Sequence, residues 1–179
     1  FMEQALFVGT MRGKDGTGMF GVRRPKWCKQ NEIPETNMEA HWIRAATTGP
    51  EFVQDKNVRS MLGQMDTYMA VIGHNRAATL GSAIMENTHP FVDGPITLVH
   101  NGTLSNHEDL PKSGEGVGFN VDSHAIAHAL ATESAEEVVS QLDGAFALVW
   151  HDSRDGTVNI IRNSRRPLHF GVMHANDTI

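Results

Sequence analysis

A layered α+β fold, with mainly antiparallel sheets sandwiched between helices, is the class this sequence predicts, and three observations predict it. Strand-like runs follow one another through hairpins or short loops, as antiparallel pairing allows and parallel pairing does not. Two helical segments stand together in the middle of the chain instead of alternating one by one with strands. Runs such as AFALVW (145–150) are apolar at both parities, which places cover on both faces of their sheet. The 179 residues suffice for one domain with a real core, and we expect a single domain over 1–179.

Taken in order, FMEQALFVGTM (1–11) puts Phe1, Ala5, Leu6 and Val8 on one helical face, with Met2 nearby. MRGKDGTG (11–18) is rich in glycine and turn formers. MFGV (19–22) reads as a strand and KWCKQ (26–30) as its hairpin partner. Residues 31–50 hold two prolines and mixed polar residues, so much of this stretch is expected to be loop. In 52–68, Phe52, Val53, Val58, Met61, Leu62 and Met65 recur at helical spacing. MAVIGH (69–74) is a buried strand. Within 91–102 an Asp93-Gly94 turn feeds a strong strand at 96–99. Ser105 and Glu108 have capping-box spacing and predict a short helix over 105–110. VDSHAIAHALATE (121–133) is a helix with Ala125, Ile126, Ala129 and Leu130 as its apolar face. SAEEVVSQLDG (134–144) is another, with a capping box at Ser134 and Glu137. The clearest hairpin is 145–163, two apolar runs joined across Asp155-Gly156. PLHFGVM (167–173) predicts one more strand. The sequence opens inside an apolar-periodic segment and stops just after a strand-like one, so we expect a domain truncated at both ends.

Composition removes several function classes. Hydrophobic residues make up 40% and charged residues 20%, an ordinary globular balance. A net charge of -6 disfavours nucleic-acid binding, which normally needs a basic face. The basic clusters RRPK (23–26) and RNSRR (162–166) are short and read as solvated charge. No apolar run approaches the roughly 18 residues of a membrane helix, and no signal peptide is evident. The single cysteine, Cys28, allows no internal disulfide, which fits a reducing, cytoplasmic setting.

Four places hold residues capable of chemistry. Arg76 follows a buried strand amid small residues, NRAATLG (75–81). It is either a bidentate carboxylate reader or a structural ion pair at a strand end. Asn101 and Gly102 end the 96–99 strand. A side-chain amide beside an exposed backbone N–H can form an oxyanion hole, or the pair can be a plain Asn-Gly turn. Asp122 precedes the helix at 123–133 and is either its N-cap or a binder of an ammonium group. Together, a carboxylate-reading Arg and an ammonium-reading Asp would specify a free α-amino acid. His124 and His128 lie four apart on one helix, but the acidic residue of the zinc-protease pattern is missing and no third ligand is obvious, so no metal is expected. His74, His89 and His100 read as pocket-wall or structural histidines. The Gly-rich RGKDGTG (12–18) lacks the Gly-Lys-Ser/Thr ending of a phosphate loop.

In combination these pieces resemble the class-II glutamine amidotransferase domain, an N-terminal-nucleophile hydrolase. The segments that carry the resemblance are MRGKDGTGMFGV (11–22), GHNRAATLG (73–81), ENTHPF (86–91), LVHNGTLSNHEDL (98–110), VDSHAIAHAL (121–130) and the closing β region from GAFALVW to RNSRRPLHFG. Each is modest alone, and their order over nearly the whole chain is specific. The resemblance implies a four-layer αββα sandwich. It implies that Arg76, with Thr79 beside it, binds the glutamine α-carboxylate. Asp122 would bind the α-ammonium, Asn101 and Gly102 would form the oxyanion hole, and His89 would support the pocket. No cofactor is implied. Expected partners are L-glutamine and an ammonia-accepting synthase domain or subunit, with room for a homo-oligomer.

Three departures accompany the match. The family nucleophile is a cysteine at the first position of the mature chain, with its own α-amine as base. An amine with a pKa of about 7.7–8.0 and a thiol near ~8.5 can exchange a proton at neutral pH. Phe1 has no nucleophile and Cys28 is internal, so we expect a Cys-bearing strand upstream of Phe1. Gly16 stands where the family usually has Ser. Ala77 often has a Trp counterpart in sugar-directed members. Two other readings stand beside glutamine hydrolysis: a non-catalytic member that binds glutamine or a protein, and a standalone amidase acting on a γ-glutamyl compound.

Overall fold

The computed structural model describes residues 1–23, 38–79, 81–110 and 119–169. Helix α1 (Met2–Gly9) leads into strand β1 (Gly16–Arg23), then β2 (Glu39–Ala45), α2 (Gly49–Phe52), α3 (Lys56–Leu62) and β3 (Ala70–Arg76). Strands β4 (Phe91–Asp93) and β5 (Ile96–Leu104) follow, then α4 (Asp122–Thr132), α5 (Ala135–Gln141), β6 (Gly144–Asp152) and β7 (Thr157–Arg162). There are two antiparallel sheets, ordered β2-β1-β3 and β4-β5-β6-β7.

Alternation along the strands sorts side chains into three apolar interfaces, and these define four layers. Met19 of β1 joins Leu6, Phe52, Val58 and Met61 from the first three helices. Its neighbour Phe20 points the other way, with Val22, to meet Val99 and Val149 of the second sheet. The far face of that second sheet packs Ile96, Leu98, Phe146, Leu148 and Trp150 against Ala125, Ile126, Ala129, Leu130 and Val138 of α4 and α5. The order is therefore helices, sheet, sheet, helices, as the αββα expectation requires.

Several local expectations are corrected. Within 31–50, where much loop and no strand is expected, β2 occupies 39–45 and pairs along β1 from Thr17↔Ala45 to Arg23↔Glu39. Neither Pro34 nor Pro50 falls within it, so its ladder loses no donor. The helical stretch 52–68 is broken. Pro50 and a Thr48–Glu51 capping box start α2 early, and the Asp55 carboxylate accepts from the N–H groups of Asn57 and Val58 to start α3 afresh. No helix forms over 105–110. Ser105 Oγ donates to the Asp143 carboxylate at 2.8 Å, and Asn106 exchanges bonds with Gln141 and Asp143, so these caps are spent on the α5–β6 junction. On α1 only Leu6 is buried, while Phe7 and Val8 are exposed. Leu6 and Met2 seat over Gly73, where a Cβ would come within 2.9 Å of Leu6 and 3.0 Å of Met2. The predicted KWCKQ strand, with Cys28, lies outside the described residues, as does most of 167–173, and 167–169 carry no strand.

The two capping and hairpin predictions later in the chain agree with the structure. Ser134 and Glu137 form a reciprocal capping box on α5. β6 and β7 pair across the 153–156 turn. No helix among the described residues is long and apolar enough to cross a membrane.

Candidate active site

Between the sheets lies a cavity of about 490 Å³. The parity that buries Ala70 and Ile72 against the second sheet also turns His74 and Arg76 inward, at the end of β3. On β5 the parity of Val99 brings Asn101 to the same space from the opposite wall. Asp122 and Ser123, the first residues of α4, reach it from behind β5. Arg76, Thr79, His89, Asn101, Gly102 and Asp122, all named from sequence, line this one cavity.

Arg76 is buried, and its guanidinium donates to the carbonyl oxygens of Ser82 at 3.1 Å and Gly81 at 3.5 Å. Burial lowers its pKa and the nearby carboxylates of Asp15 and Asp122 raise it. A guanidinium remains a cation throughout the working range. The Gly-rich segment before β1 braces this arginine. Asp15 N–H donates to Arg76 O, Asp15 Oδ2 accepts from Ala78 N–H at 2.8 Å, and a Cβ at Gly13 would lie 2.5 Å from the Arg76 carbonyl carbon. Gly13 therefore lets this segment's backbone approach the backbone at Arg76.

Asp122 opens α4, and Val121 is the N-cap, so the N-cap reading of Asp122 is corrected. The Asp122 carboxylate accepts from Leu104 N–H at 2.9 Å and Ser123 N–H at 2.8 Å, which ties α4 to the end of β5. Thr79 Oγ1 lies 3.5 Å from Thr103 Oγ1 of β5. Gly102 has φ +158°, and a Cβ there would lie 1.8 Å from Ala145 O on β6.

His89 is buried beside two other imidazoles. Its ring lies 3.9 Å from that of His74, tilted by 39°, and its Nε2 lies 3.1 Å from Ser123 Oγ, which also sits 3.1 Å from His100 Nδ1. His74 Nε2 donates to His100 O at 3.1 Å, bridging the two sheets. Burial is the main reason all three favour the neutral form. His74 is pushed down to about 4, His89 lies well below its usual value, and His100 is lowered despite the opposing pull of Asp122. From the first sheet, Arg44 donates to Thr88 O and Pro90 O, bracketing His89.

Sequence reasoning missed Ser123, Arg12 and Arg166, which also line the cavity. For Ser123 a signal existed in its place beside Asp122, whereas the two arginines sit in ordinary basic stretches. His124 and His128 both turn to Asp93, at 3.8 and 3.0 Å. Among the described residues no three His, Cys, Asp or Glu side chains are arranged to hold a metal ion.

Comparison with known proteins accords with this geometry. Residues 74–179 match the model of a glutamine amidotransferase domain. The glutamine–fructose-6-phosphate aminotransferase (isomerizing) of Pectobacterium atrosepticum is 35% identical over 114 residues, 56% of this chain and 19% of that protein. Its counterpart in Buchnera aphidicola is 28% identical over 144 residues, 73% of this chain and 23% of that protein. The matched region thus spans about a fifth of the length of these curated relatives. In fold, the chain is similar to the glutamine phosphoribosylpyrophosphate amidotransferase of B. subtilis, complexed with ADP and GMP. The TM-score is 0.51 with 22% identity, over 85% of this chain and 32% of that one. The match over residues 74–179, read with two antiparallel sheets between helices, makes this chain a member of the class-II glutamine amidotransferase family.

Proposed function

We propose that this chain hydrolyses the side-chain amide of glutamine and supplies the ammonia to a synthase domain or subunit. The observation that carries the reading is a cation and an anion on one small cavity, Arg76 and Asp122, with Asn101 and Gly102 between the same walls. Its volume lies within the range of about 300–1,000 Å³ usual for small-molecule sites. Arg76 pairs with the α-carboxylate, with Thr79 beside it, and Asp122 accepts from the α-ammonium. His89 backs the pocket wall. Fixing both ends of the amino acid leaves the side-chain amide as the part free to react.

The nucleophile in this reading is an N-terminal cysteine that precedes Phe1 in the natural protein. Its α-amine takes the thiol proton, and the thiolate attacks the amide carbon. The oxygen that becomes negative is received by the Asn101 amide and the Gly102 backbone. The amine returns the proton to the departing nitrogen, ammonia leaves, and water cleaves the remaining thioester to glutamate.

The test is glutamate release from glutamine by the natural full-length protein. Arg76→Ala and Asp122→Ala are expected to raise KM at least about tenfold, the loss of one charge-assisted contact. Asn101→Ala is expected to lower kcat by about 10²–10³ with KM little changed. Binding of glutamine without turnover would replace hydrolysis with a binding role, and absence of binding would overturn the reading.

A further inference from the structure

After Arg76 the chain turns back over this arginine, and a side chain that the proposed mechanism leaves unused holds it there. Three donors converge on Ser82 O: Arg76 Nη1 at 3.1 Å, Asn87 Nδ2 at 3.1 Å and Ile84 N–H at 2.9 Å. Gly81 O, one residue earlier, lies 3.5 Å from Arg76 Nη2. Two successive carbonyl oxygens thus face one guanidinium, where extended backbone would turn them to opposite sides. Gly81 permits this with φ +72°, in the left-handed region that costs glycine little. A Cβ at Gly81 would lie 2.8 Å from Asn87 Nδ2, so the amide seats in the space a side chain would take. Asn87 is 7% exposed and ends a short 3-10 turn, Met85–Asn87. It presents its NH2 group to Ser82, since its Oδ1 there would meet another carbonyl oxygen.

Asn87 reaches Ser82 from a fixed base. Its own N–H and Thr88 Oγ1 both donate to Ile84 O, at 3.2 and 3.0 Å. Arg44 of β2 in turn donates to Thr88 O at 3.1 Å and Pro90 O at 2.8 Å. The Gly81–Ser82 carbonyls are therefore linked through Asn87 to the first sheet, which also carries Arg76 at the end of β3. A guanidinium holds its N–H donors in one plane. Two carbonyls that take bonds from Nη1 and Nη2 fix that plane, and bidentate recognition of a carboxylate depends on it. We propose that Asn87, seated against Gly81, is a positioning residue for substrate binding: it holds the Gly81–Ser82 carbonyls on Arg76 and so sets the guanidinium plane that meets the α-carboxylate. This rests on the assignment of Arg76 as the carboxylate reader.

Glutamate release from glutamine by the natural full-length protein tests it through a double-mutant cycle. Asn87→Ala is expected to raise KM about five- to tenfold, with kcat within about twofold. In the Arg76→Ala background the same substitution is expected to change KM by less than about twofold, since no guanidinium is left to orient. Asn87→Leu keeps the shape of the side chain without its donor, and it is read through the same cycle where Asn87→Ala does not fold. A rise in KM of equal size in both backgrounds is a general structural effect and overturns the proposal. So does an unaltered KM, or a fall in kcat alone. If the unaltered protein neither binds nor hydrolyses glutamine, the function reading fails and this role falls with it. Normal glutamine turnover with additive variants removes only the role of Asn87.

Discussion

At Gly102 the requirements of two neighbouring strands, β5 and β6, meet in one backbone position. The missing Cβ lets Ala145 O approach to where a side chain would stand, 1.8 Å from an ideal Cβ, and φ is +158°. Gly102→Ala must therefore push β5 from β6, at a cost of about 1–3 kcal/mol that urea denaturation would measure. Asn101, its exposed neighbour, offers a contrast: Asn101→Ala should change stability by no more than about 0.5 kcal/mol. A stability loss at Asn101 equal to that at Gly102 would mean the amide is structural. Gly16 is a second case. A Cβ there would lie 2.5 Å from Thr88 Oγ1, so the threonine fills the space that the family's usual serine would take. Gly16→Ser alone should destabilise, and Gly16→Ser with Thr88→Ala should recover part of the loss, as a double-mutant cycle would show.

Among the elements, α4 has the most to do, since its first residues line the cavity and its body closes the outer core. Asp93 on β4 accepts from His128 at 3.0 Å, and Arg154 donates to the Leu130 and Ala131 carbonyls at its C-terminal end. Arg154 is in turn held by Asp152 at 2.6 Å. α5 follows at once and starts on the Ser134–Glu137 box, whose two reciprocal bonds satisfy otherwise unpaired N–H groups. Ser134→Ala is expected to cost about 1 kcal/mol, or about 2–4 °C in melting temperature for a domain of this size. Thermal denaturation checks this, and glutamine KM should not move, because the box is remote from the cavity.

The whole molecule is built to keep three imidazoles neutral between its sheets. An unfolded histidine titrates near 6.5, whereas His74 in the fold is pushed down to about 4 by burial. Below about pH 6.5 the unfolded chain therefore binds more protons than the folded one. Stability is fully present above that value and is lost as pH falls toward 4. His74 alone accounts for a loss on the order of 3 kcal/mol by pH 4, and His89 and His100 shift in the same direction. Denaturant titrations at pH 7 and pH 4.5 should show His74→Gln losing less stability than the unaltered protein. Equal losses would place the acid sensitivity elsewhere.

What the sequence determined by itself is whatever rests on local pattern. Apolar runs and turn residues marked the 145–163 hairpin and the strand that starts at Ile96, spacing marked the Ser134 box, and residue type singled out Arg76 and Asp122 as a matched pair. Such signals span a few residues, because backbone sterics and capping act over a few residues. Only the tertiary structure decided that 39–45 is a strand, since its partner β1 lies some 20 residues away and no local feature announces it. It alone turned Ser105 from a cap into a tie to Asp143, and the glycines of 11–18 into a brace for Arg76. The same holds for Ser123: its neighbours His89 and His100 are 34 and 23 residues distant. Contacts between residues that far apart depend on how the layers stack, and a short stretch of sequence has no term for that.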